Sequence, residues 1–394
     1  MKKKIALFGP HDRFNYGDFL FPLMLEYAIE KNYSQKFEFE KYSLINADFS
    51  KRGAYKSKNY RTLKKDINKG GISAVIVAGG ECLNVDWSSL LHFISFKYSY
   101  LLKYSLMKKI FFKTNFAARV LGGKTEHAFC VNKKDFRKKF LLIYNSVGGF
   151  RKFNKIQINN LNQSDYIALR DNKTFENSKT LSKEAFLVPD SAVILSDVFV
   201  SEELESNSFV RNSVRDLLNK KYIFFQVSNI YHQNRQDEIC VQLESLSKQH
   251  NLEIVLCPIG MASGHEDHIV LENIYRKLNC LSYLIENPNI QEIALLISRS
   301  KIYLGSSLHG LITAMSYGIP YIGLNRTQTK VISYLDTWSF EPLKIVCDLH
   351  DFSSTANTVI VNEDNLKPQI LENSKCLKAL YYDSVEKMIT ILSN

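Results

Sequence analysis

The chain of 394 residues has no uninterrupted apolar run of the roughly 18–20 residues that a membrane-spanning helix needs. Its opening, Met-Lys-Lys-Lys-Ile-Ala-Leu-Phe-Gly-Pro, has a charged tip, but the apolar stretch stops after about five residues, short of the roughly 7–15 of a secretory signal. That opening reads as a first β-strand, and the expectation is a cytoplasmic protein. The seven cysteines (Cys82, Cys130, Cys240, Cys257, Cys280, Cys347 and Cys376) form no Cys-x-x-Cys pair, which argues for reduced, mostly buried thiols and against structural zinc. No repeat of fixed short period is present. Acids are nearly missing from one segment: between Lys97 and Lys139 twelve Lys/Arg face only Glu126 and Asp135, a surplus of ten in a chain whose net charge is +11. Tyr98, Tyr100, Tyr104, Phe111, Phe112, Phe116, Phe129 and Phe136 are mixed into it. Two readings stay open there: a surface for anionic membrane lipid, or a solvated helical face whose aromatics pack inward. No nucleic-acid-binding motif accompanies the charge, so nucleic acid is not an expected partner.

Of what is present, residues 303–324 are the most informative, Tyr-Leu-Gly-Ser-Ser-Leu-His-Gly-Leu-Ile-Thr-Ala-Met-Ser-Tyr-Gly-Ile-Pro-Tyr-Ile-Gly-Leu. The pattern predicts a strand ending at Leu304, a loop at Gly305–Ser307, a helix from about Leu308 to Tyr317, Gly318 as its C-terminal stop and a strand over Ile319–Leu324. His309 then sits in the first turn of a helix at the C-terminal end of a parallel strand, where ligands bind in open α/β sheets and where backbone N–H groups attract anions. Small residues at Gly305, Ser306 and Gly310 would let a ligand oxygen approach the backbone. The alternative is a histidine packed in a cap region.

Strands and helices alternate along the rest. Strands are expected at Lys4–Phe8, Phe37–Tyr42, Ala74–Val77, Leu141–Ser146, Tyr166–Leu169, Ala185–Val188, Tyr222–Val227, Ile254–Pro258 and Ser300–Leu304, several ending in glycine or charged residues. The polar stretch Ser201–Ser208 reads as a linker between residues 1–200 and 209–394, and the helical tail Ser374–Ser393 is a candidate to pack back on the first domain. The architecture this implies is α/β: two doubly wound Rossmann-like domains facing a cleft. Around the inferred strand ends lie Asn15, Tyr16, Gly17 and Asp18, with Asp18 either a ligand group or a helix cap; Gly79-Gly80-Glu81; Gly148-Gly149; and Arg170-Asp171, either an anion clamp or a surface pair. His265-Glu266-Asp267-His268 lacks the i, i+4 spacing of a helical metal site, so helix capping is the better account and no metal is expected.

Taken in order, Asn15-Tyr16-Gly17-Asp18, Val77-Ala78-Gly79-Gly80-Glu81, Ser146-Val147-Gly148-Gly149, Leu169-Arg170-Asp171, Pro189-Asp190-Ser191-Ala192 and Ser306-Ser307-Leu308-His309-Gly310 with the Gly318-Ile-Pro tail resemble the polysaccharide pyruvyl transferase family. The resemblance implies a fold similar to GT-B glycosyltransferases and transfer of a pyruvyl unit from phosphoenolpyruvate, a donor substrate rather than a cofactor, to a sugar, usually closing to a ketal. It implies acid/base work for His309 and donor binding by Arg170, to which the reading of the loop adds Ser306, Ser307, Leu308, Gly310 and Arg326 as expected donor-binding residues. On the pyruvyl-transfer reading, Asn15, Gly17, Asp18, Gly79, Gly80 and Glu81 are expected on the side of a saccharide acceptor, free or lipid-linked, and the basic, aromatic segment Lys97–Lys139 adds the expectation of an enzyme peripheral on the inner face of the plasma membrane. Members often carry arginine two residues before the histidine; Ser307 stands there, and a guanidinium's charge-assisted bond is worth roughly 1.5–3 kcal/mol. Arg326, Lys330 or Arg13 would be the replacements, or else the donor is a nucleotide- or phosphate-activated sugar and the protein a glycosyltransferase. A non-enzymatic basic adaptor at the membrane is the third reading.

Overall fold

The computed structural model describes residues 2–124, 126–229, 234–262 and 266–394. They form two compact units. Unit 1 holds the chain up to Lys51, Tyr55–Ser191 and the tail Leu380–Asn394; unit 2 holds Arg52–Ala54 and Ala192–Ala379.

Unit 1 is built on the strands β1 (Lys3–Phe8) and β2 (Phe37–Tyr42), a small antiparallel pair β3 (Ala47–Asp48) and β4 (Lys56–Ser57), and then β5 (Ala74–Val77), β6 (Leu141–Val147), β7 (Tyr166–Leu169) and β8 (Phe186–Leu187). Six of these pair in parallel in the order β2-β1-β5-β6-β7-β8. The central strands read Ile-Ala-Leu-Phe, Ala-Val-Ile-Val and Tyr-Ile-Ala-Leu and are buried throughout, as a parallel sheet covered on both faces requires. The order reverses between β1 and β5, so the loops leaving these two strands part to opposite sides.

Unit 2 contains β9 (Tyr222–Gln226), β10 (Glu253–Leu256), β11 (Ser282–Leu284), β12 (Ile302–Gly305), β13 (Tyr321–Leu324) and β14 (Val346–Cys347), all parallel, in the order β11-β10-β9-β12-β13-β14. Counted within the unit this is 3-2-1-4-5-6, the doubly wound dinucleotide-fold order, with its reversal between β9 and β12. Gly305 lies opposite Gln226 at the ends of those two strands.

The expected strands and the helix Leu308–Tyr317 are present. Two expectations change. Ser201–Ser208 is not a bare linker: Ser201–Ser206 is a helix of unit 2, fixed by buried Leu204 and by Ser201 Oγ against Ser298 Oγ at 2.9 Å. The cap of the first helix, Tyr16–Tyr33, is Asn15 and not Asp18: Asn15 Oδ1 accepts the Gly17 N–H at 3.2 Å. No helix of the described residues is long and apolar enough to cross a membrane.

Candidate functional site

In unit 2 the loop between β12 and the helix Leu308–Tyr317 is held from three directions. The Ser306 N–H donates to the Gln226 carbonyl at 3.1 Å, the Ser307 N–H donates to Gln226 Oε1 at 2.9 Å, and the Ser228 N–H donates to Ser306 Oγ at 3.2 Å. Ser307 is the N-cap of the helix: its backbone is extended and its Oγ accepts the Gly310 N–H at 3.4 Å. Beneath the turn lies the Tyr303 ring. A Cβ on Gly310 would fall 2.1 Å from Tyr303 Oη and one on Gly305 2.4 Å from it. These two glycines are therefore demanded by the tyrosine, and not by space left open for a ligand. The Ser307 N–H, held by Gln226 at the end of β9, and the Gly310 N–H, held by Ser307 Oγ, are likewise already engaged. Leu308 is buried. His309, one residue into the helix, is half-buried, and its carbonyl accepts the Thr313 hydroxyl at 2.7 Å.

Behind this loop stands a residue whose role sequence reasoning missed. Gln226 Nε2 donates to Asp267 Oδ2 at 2.7 Å, and the same oxygen accepts the N–H groups of Gly260 at 2.8 Å and Ile259 at 3.1 Å. Burial pushes the Asp267 carboxyl up to about 7 against these three hydrogen bonds and the positive charge of Lys330. Asp267, Gln226 and the Ser307 amide thus form a chain of hydrogen bonds reaching the turn that carries His309. Gln226 was the available signal, a polar residue closing the otherwise apolar strand Tyr-Ile-Phe-Phe-Gln. In the His265–His268 run, His265 lies outside the described residues, and among the described residues no group of three or more His, Cys, Asp or Glu is placed to hold a metal. Arg326 is exposed; it donates to the Val346 carbonyl at 3.1 Å and pairs with Asp351 at 3.3 Å. The groove lined by Pro342, Thr355, Thr358 and Leu366 contains none of these residues.

In unit 1 the glycine pairs lie at strand ends. Leaving β5, Gly79 packs against Pro10 and Cys82, and the Gly80 carbonyl accepts the Gly148 N–H at 2.7 Å. Near the end of β6, Ser146 takes a left-handed backbone (φ 51°), held by its hydroxyl donating toward the carbonyls of Val188 at 3.0 Å and Pro189 at 2.7 Å. This strained residue turns the chain into Gly148-Gly149. A Cβ on Gly148 would lie 2.8 Å from both Arg170 Nε and Glu81 Oε2.

Arg170 is neither a surface pair nor an open clamp. It is 1% exposed and meets Glu81 at 3.0 Å, Asp190 at 3.5 Å and Asp171 at 3.6 Å. Those carboxylates raise its pKa against the cost of burial. The guanidinium is already engaged by three carboxylates, so an anionic donor gains little from Arg170 itself. Its evident work is to fix Glu81, whose other oxygen accepts the Phe150 N–H at 3.0 Å and whose side chain remains partly exposed. Asp171 also caps the helix Asn172–Asn177 through the Thr174 N–H at 2.9 Å. Asn15 and Asp18 are half-buried at the start of the helix Tyr16–Tyr33, with Gly17 buried between them. The loop leaving β1 contributes residues not singled out as a cluster: His11, Asp12 and Arg13 are all buried. Burial pushes the His11 imidazole down to about 3, and Arg13 Nε pairs with Asp12 at 3.1 Å.

Two Rossmann-like units, each collecting polar residues at the carboxyl ends of parallel strands, define an α/β enzyme of GT-B-like fold. A model of the family described as polysaccharide pyruvyl transferase matches residues 15–328, and the chain belongs to that family, which is enzymatic. Among solved structures it is similar to the UDP-GlcNAc 2-epimerase of Neisseria meningitidis bound to UDP-GlcNAc (TM-score 0.58, 12% identity, 98% of this chain and 100% of that one). It is also similar to S. aureus MnaA in a co-structure with UDP (TM-score 0.55, 12% identity, 94% and 91%). A third is the UDP-GlcNAc 2-epimerase of Methanocaldococcus jannaschii in complex with UDP-GlcNAc and UDP (TM-score 0.54, 14% identity, 97% and 100%). At such identities the likeness is one of fold. A search of curated proteins gives no significant match.

Proposed function

We propose that this pyruvyl transferase takes its pyruvyl unit from phosphoenolpyruvate, without a resident cofactor, and places it as a ketal on a sugar of a surface polysaccharide or of its lipid-linked precursor. The observation that carries this is the family match together with the place of His309, in the first turn of a helix beside the β9/β12 reversal. His309 gives a proton to the methylene carbon of the donor as a sugar hydroxyl oxygen bonds to the neighbouring carbon. The hydroxyl proton passes to a general base. The C–O bond to phosphate then breaks, inorganic phosphate leaves, and a second sugar hydroxyl closes the ketal. One hydroxyl proton balances the new methyl group and the other leaves with phosphate. The positive end of the helix Leu308–Tyr317 favours the donor's phosphate and carboxylate. Asn15, Asp18, Gly79 and Gly80 border the acceptor side in unit 1. The enzyme works in the cytoplasm at the inner face of the membrane.

A second reading has its own observation. Ser307 occupies the family's arginine position as a helix cap, leaving no charged side chain there, and the epimerases of similar fold bind UDP-GlcNAc. On that reading the donor is a nucleotide-activated sugar. The deciding experiment is a thermal-shift screen of phosphoenolpyruvate against nucleotide sugars, followed by phosphate release with wild type and His309→Ala. Ligand stabilisation by phosphoenolpyruvate, with phosphate release falling about a hundredfold or more in the variant, is the expected result. A shift with nucleotide sugars alone transfers the proposal to the second reading.

A further inference from the structure

The basic segment divides into an inner and an outer face. The helices Phe96–Leu101, Ser105–Lys113 and Phe116–Leu121 are fastened to unit 1 by Tyr98 and Phe111, both buried, and by Ala117, Ala118 and Leu121. Tyr98 stacks on Phe111 at 5.2 Å between ring centres, and Phe111 stacks on Phe116 at 4.6 Å. The outer face is of another kind. Eight of the eighteen large apolar side chains that the described residues expose fall within Tyr100–Val120. Leu106 is 68% exposed, Tyr104 52%, Phe112 50% and Ile110 44%. The helix Ser105–Lys113 exposes seven of its nine residues, keeping only Phe111 buried and Met107 half-buried. A free-standing helix of that length is marginal in water, and this one offers leucine, isoleucine and phenylalanine to solvent.

The cations are set among these apolar side chains. Lys97, Lys103, Lys108, Lys109, Lys113 and Arg119 are exposed, and no acid occurs from Trp87 to Thr125. Among the described residues none of the six has a carboxylate within ion-pair distance, whereas lysines elsewhere on the surface commonly do, such as Lys179 with Glu176 and Lys375 with Glu372. A protein partner is a poor fit, because protein interfaces shed lysine from their apolar centres. A nucleic acid has no use for exposed Leu106, Ile110 and Val120. Aliphatic side chains interleaved with lysine, without acids and without a spanning helix, match the boundary between acyl chains and anionic headgroups.

We infer that the outer face of Tyr100–Lys124 docks on an anionic phospholipid bilayer, with Leu106, Ile110, Phe112 and their neighbours inserting below the headgroups and the lysines meeting the phosphates. This gives the peripheral membrane role in the function proposed above a definite surface, and it rests on that reading only for its purpose, which is to reach a lipid-linked acceptor. The test is co-sedimentation of the full chain with vesicles of phosphatidylglycerol and phosphatidylcholine, against vesicles of phosphatidylcholine alone. Wild type should favour the anionic vesicles at least about tenfold, and less so as salt rises. Leu106→Asp with Ile110→Asp should lower that binding by about tenfold or more, and Lys108→Glu with Lys109→Glu should remove the anionic preference. Both pairs are exposed, so melting temperature and phosphate release with a soluble acceptor should stay at wild-type values; a failure of transfer chemistry would show in that assay and not in sedimentation. Equal binding to neutral and anionic vesicles overturns the inference. So does unchanged binding of Leu106→Asp/Ile110→Asp, which would mean adsorption by charge without insertion, and so does self-association abolished by the same pair in a chain that ignores vesicles.

Discussion

At the scale of single residues, the chain of hydrogen bonds that reaches the Ser307 amide begins at a carboxyl whose pKa burial pushes up. Asp267 has an ordinary pKa of 3.8 in the unfolded chain and about 7 in the fold, burial being the largest cause. Between those values the folded state holds the additional proton, so the stability Asp267 contributes is full below pH 3.8, declines as pH rises and is lost once pH passes about 7. Asp267→Asn retains an oxygen to accept from Gln226, Ile259 and Gly260 and has no proton to lose. Denaturation followed across this range should show wild type losing stability relative to Asp267→Asn as pH rises, by a few kcal/mol at most. Parallel pH profiles would show an aspartate ionised throughout. None of this was legible in sequence, because the partners of Asp267 lie as far as 41 residues away and only the fold brings Gln226 beneath Ser307. His309 itself was legible, since a glycine-and-serine turn between a strand and a helix announces its position without tertiary information. Arg170 was legible as a residue and misleading as a role: sequence showed a guanidinium at a strand end but not the three carboxylates that close around it.

At the scale of elements, the helix Leu308–Tyr317 has two properties that a single position can separate. Ser307 caps it, and the helix dipole makes the same place attractive to an anion. Ser307→Ala should cost about 1 kcal/mol of stability by leaving the Gly310 N–H without its cap. Ser307→Asp should restore the cap and the melting temperature, since aspartate caps as well as serine does, while setting a negative charge against an anionic donor. Donor KM should therefore rise in Ser307→Asp well beyond its value in Ser307→Ala. A KM that follows melting temperature through both variants would mean that the loop is scaffold and that the donor binds elsewhere. The inner strands of both sheets were legible because parallel strands buried on two faces are short apolar runs, and Tyr222–Gln226 and Ala74–Val77 have no competing pattern, whereas the short, partly buried edge strands Ser282–Leu284 and Val346–Cys347 were not anticipated. Ser201–Ser206 was not, since a helix of six residues that buries Leu204 alone shows no period. The same limit applies to Tyr100–Val120, where composition announced the charge while exposure of Leu106 and burial of Phe111 were settled by packing.

At the scale of the whole molecule, the chain does not divide once. It passes from unit 1 into unit 2 at Arg52–Ala54 and returns, leaves again after Ser191, and comes back at Leu380 inside the continuous helix Glu363–Ser393. The tail is a structural part of unit 1. Tyr381, Val385, Met388, Ile389 and Leu392 are buried, Tyr381 Oη accepts from Asn145 Nδ2 at 3.4 Å, Ser384 Oγ meets Tyr166 Oη at 3.0 Å, and Lys3 Nζ donates to the Leu392 carbonyl at 2.9 Å. Each large apolar side chain removed from such a site costs about 1.5–3 kcal/mol, so the five together are worth about as much as the whole stability of an ordinary domain, about 5–15 kcal/mol. A chain ending at Ala379 should therefore lose unit 1 while retaining unit 2, whose own sheet and the Glu363–Ala379 part of the helix remain. Hydrogen exchange is the measurement: amides of β1, β5 and β6 should lose protection, and those of β9 and β12 should keep it. Uniform loss in both units would show that they unfold together, and protection kept in both would show that the tail only covers a sheet already stable without it. The outcome also bears on catalysis, because Glu81 and Arg170 belong to the unit expected to melt and His309 to the one expected to survive. If both contribute to transfer, the shortened chain should still be stabilised by its donor through unit 2 and yet release no phosphate in the presence of an acceptor.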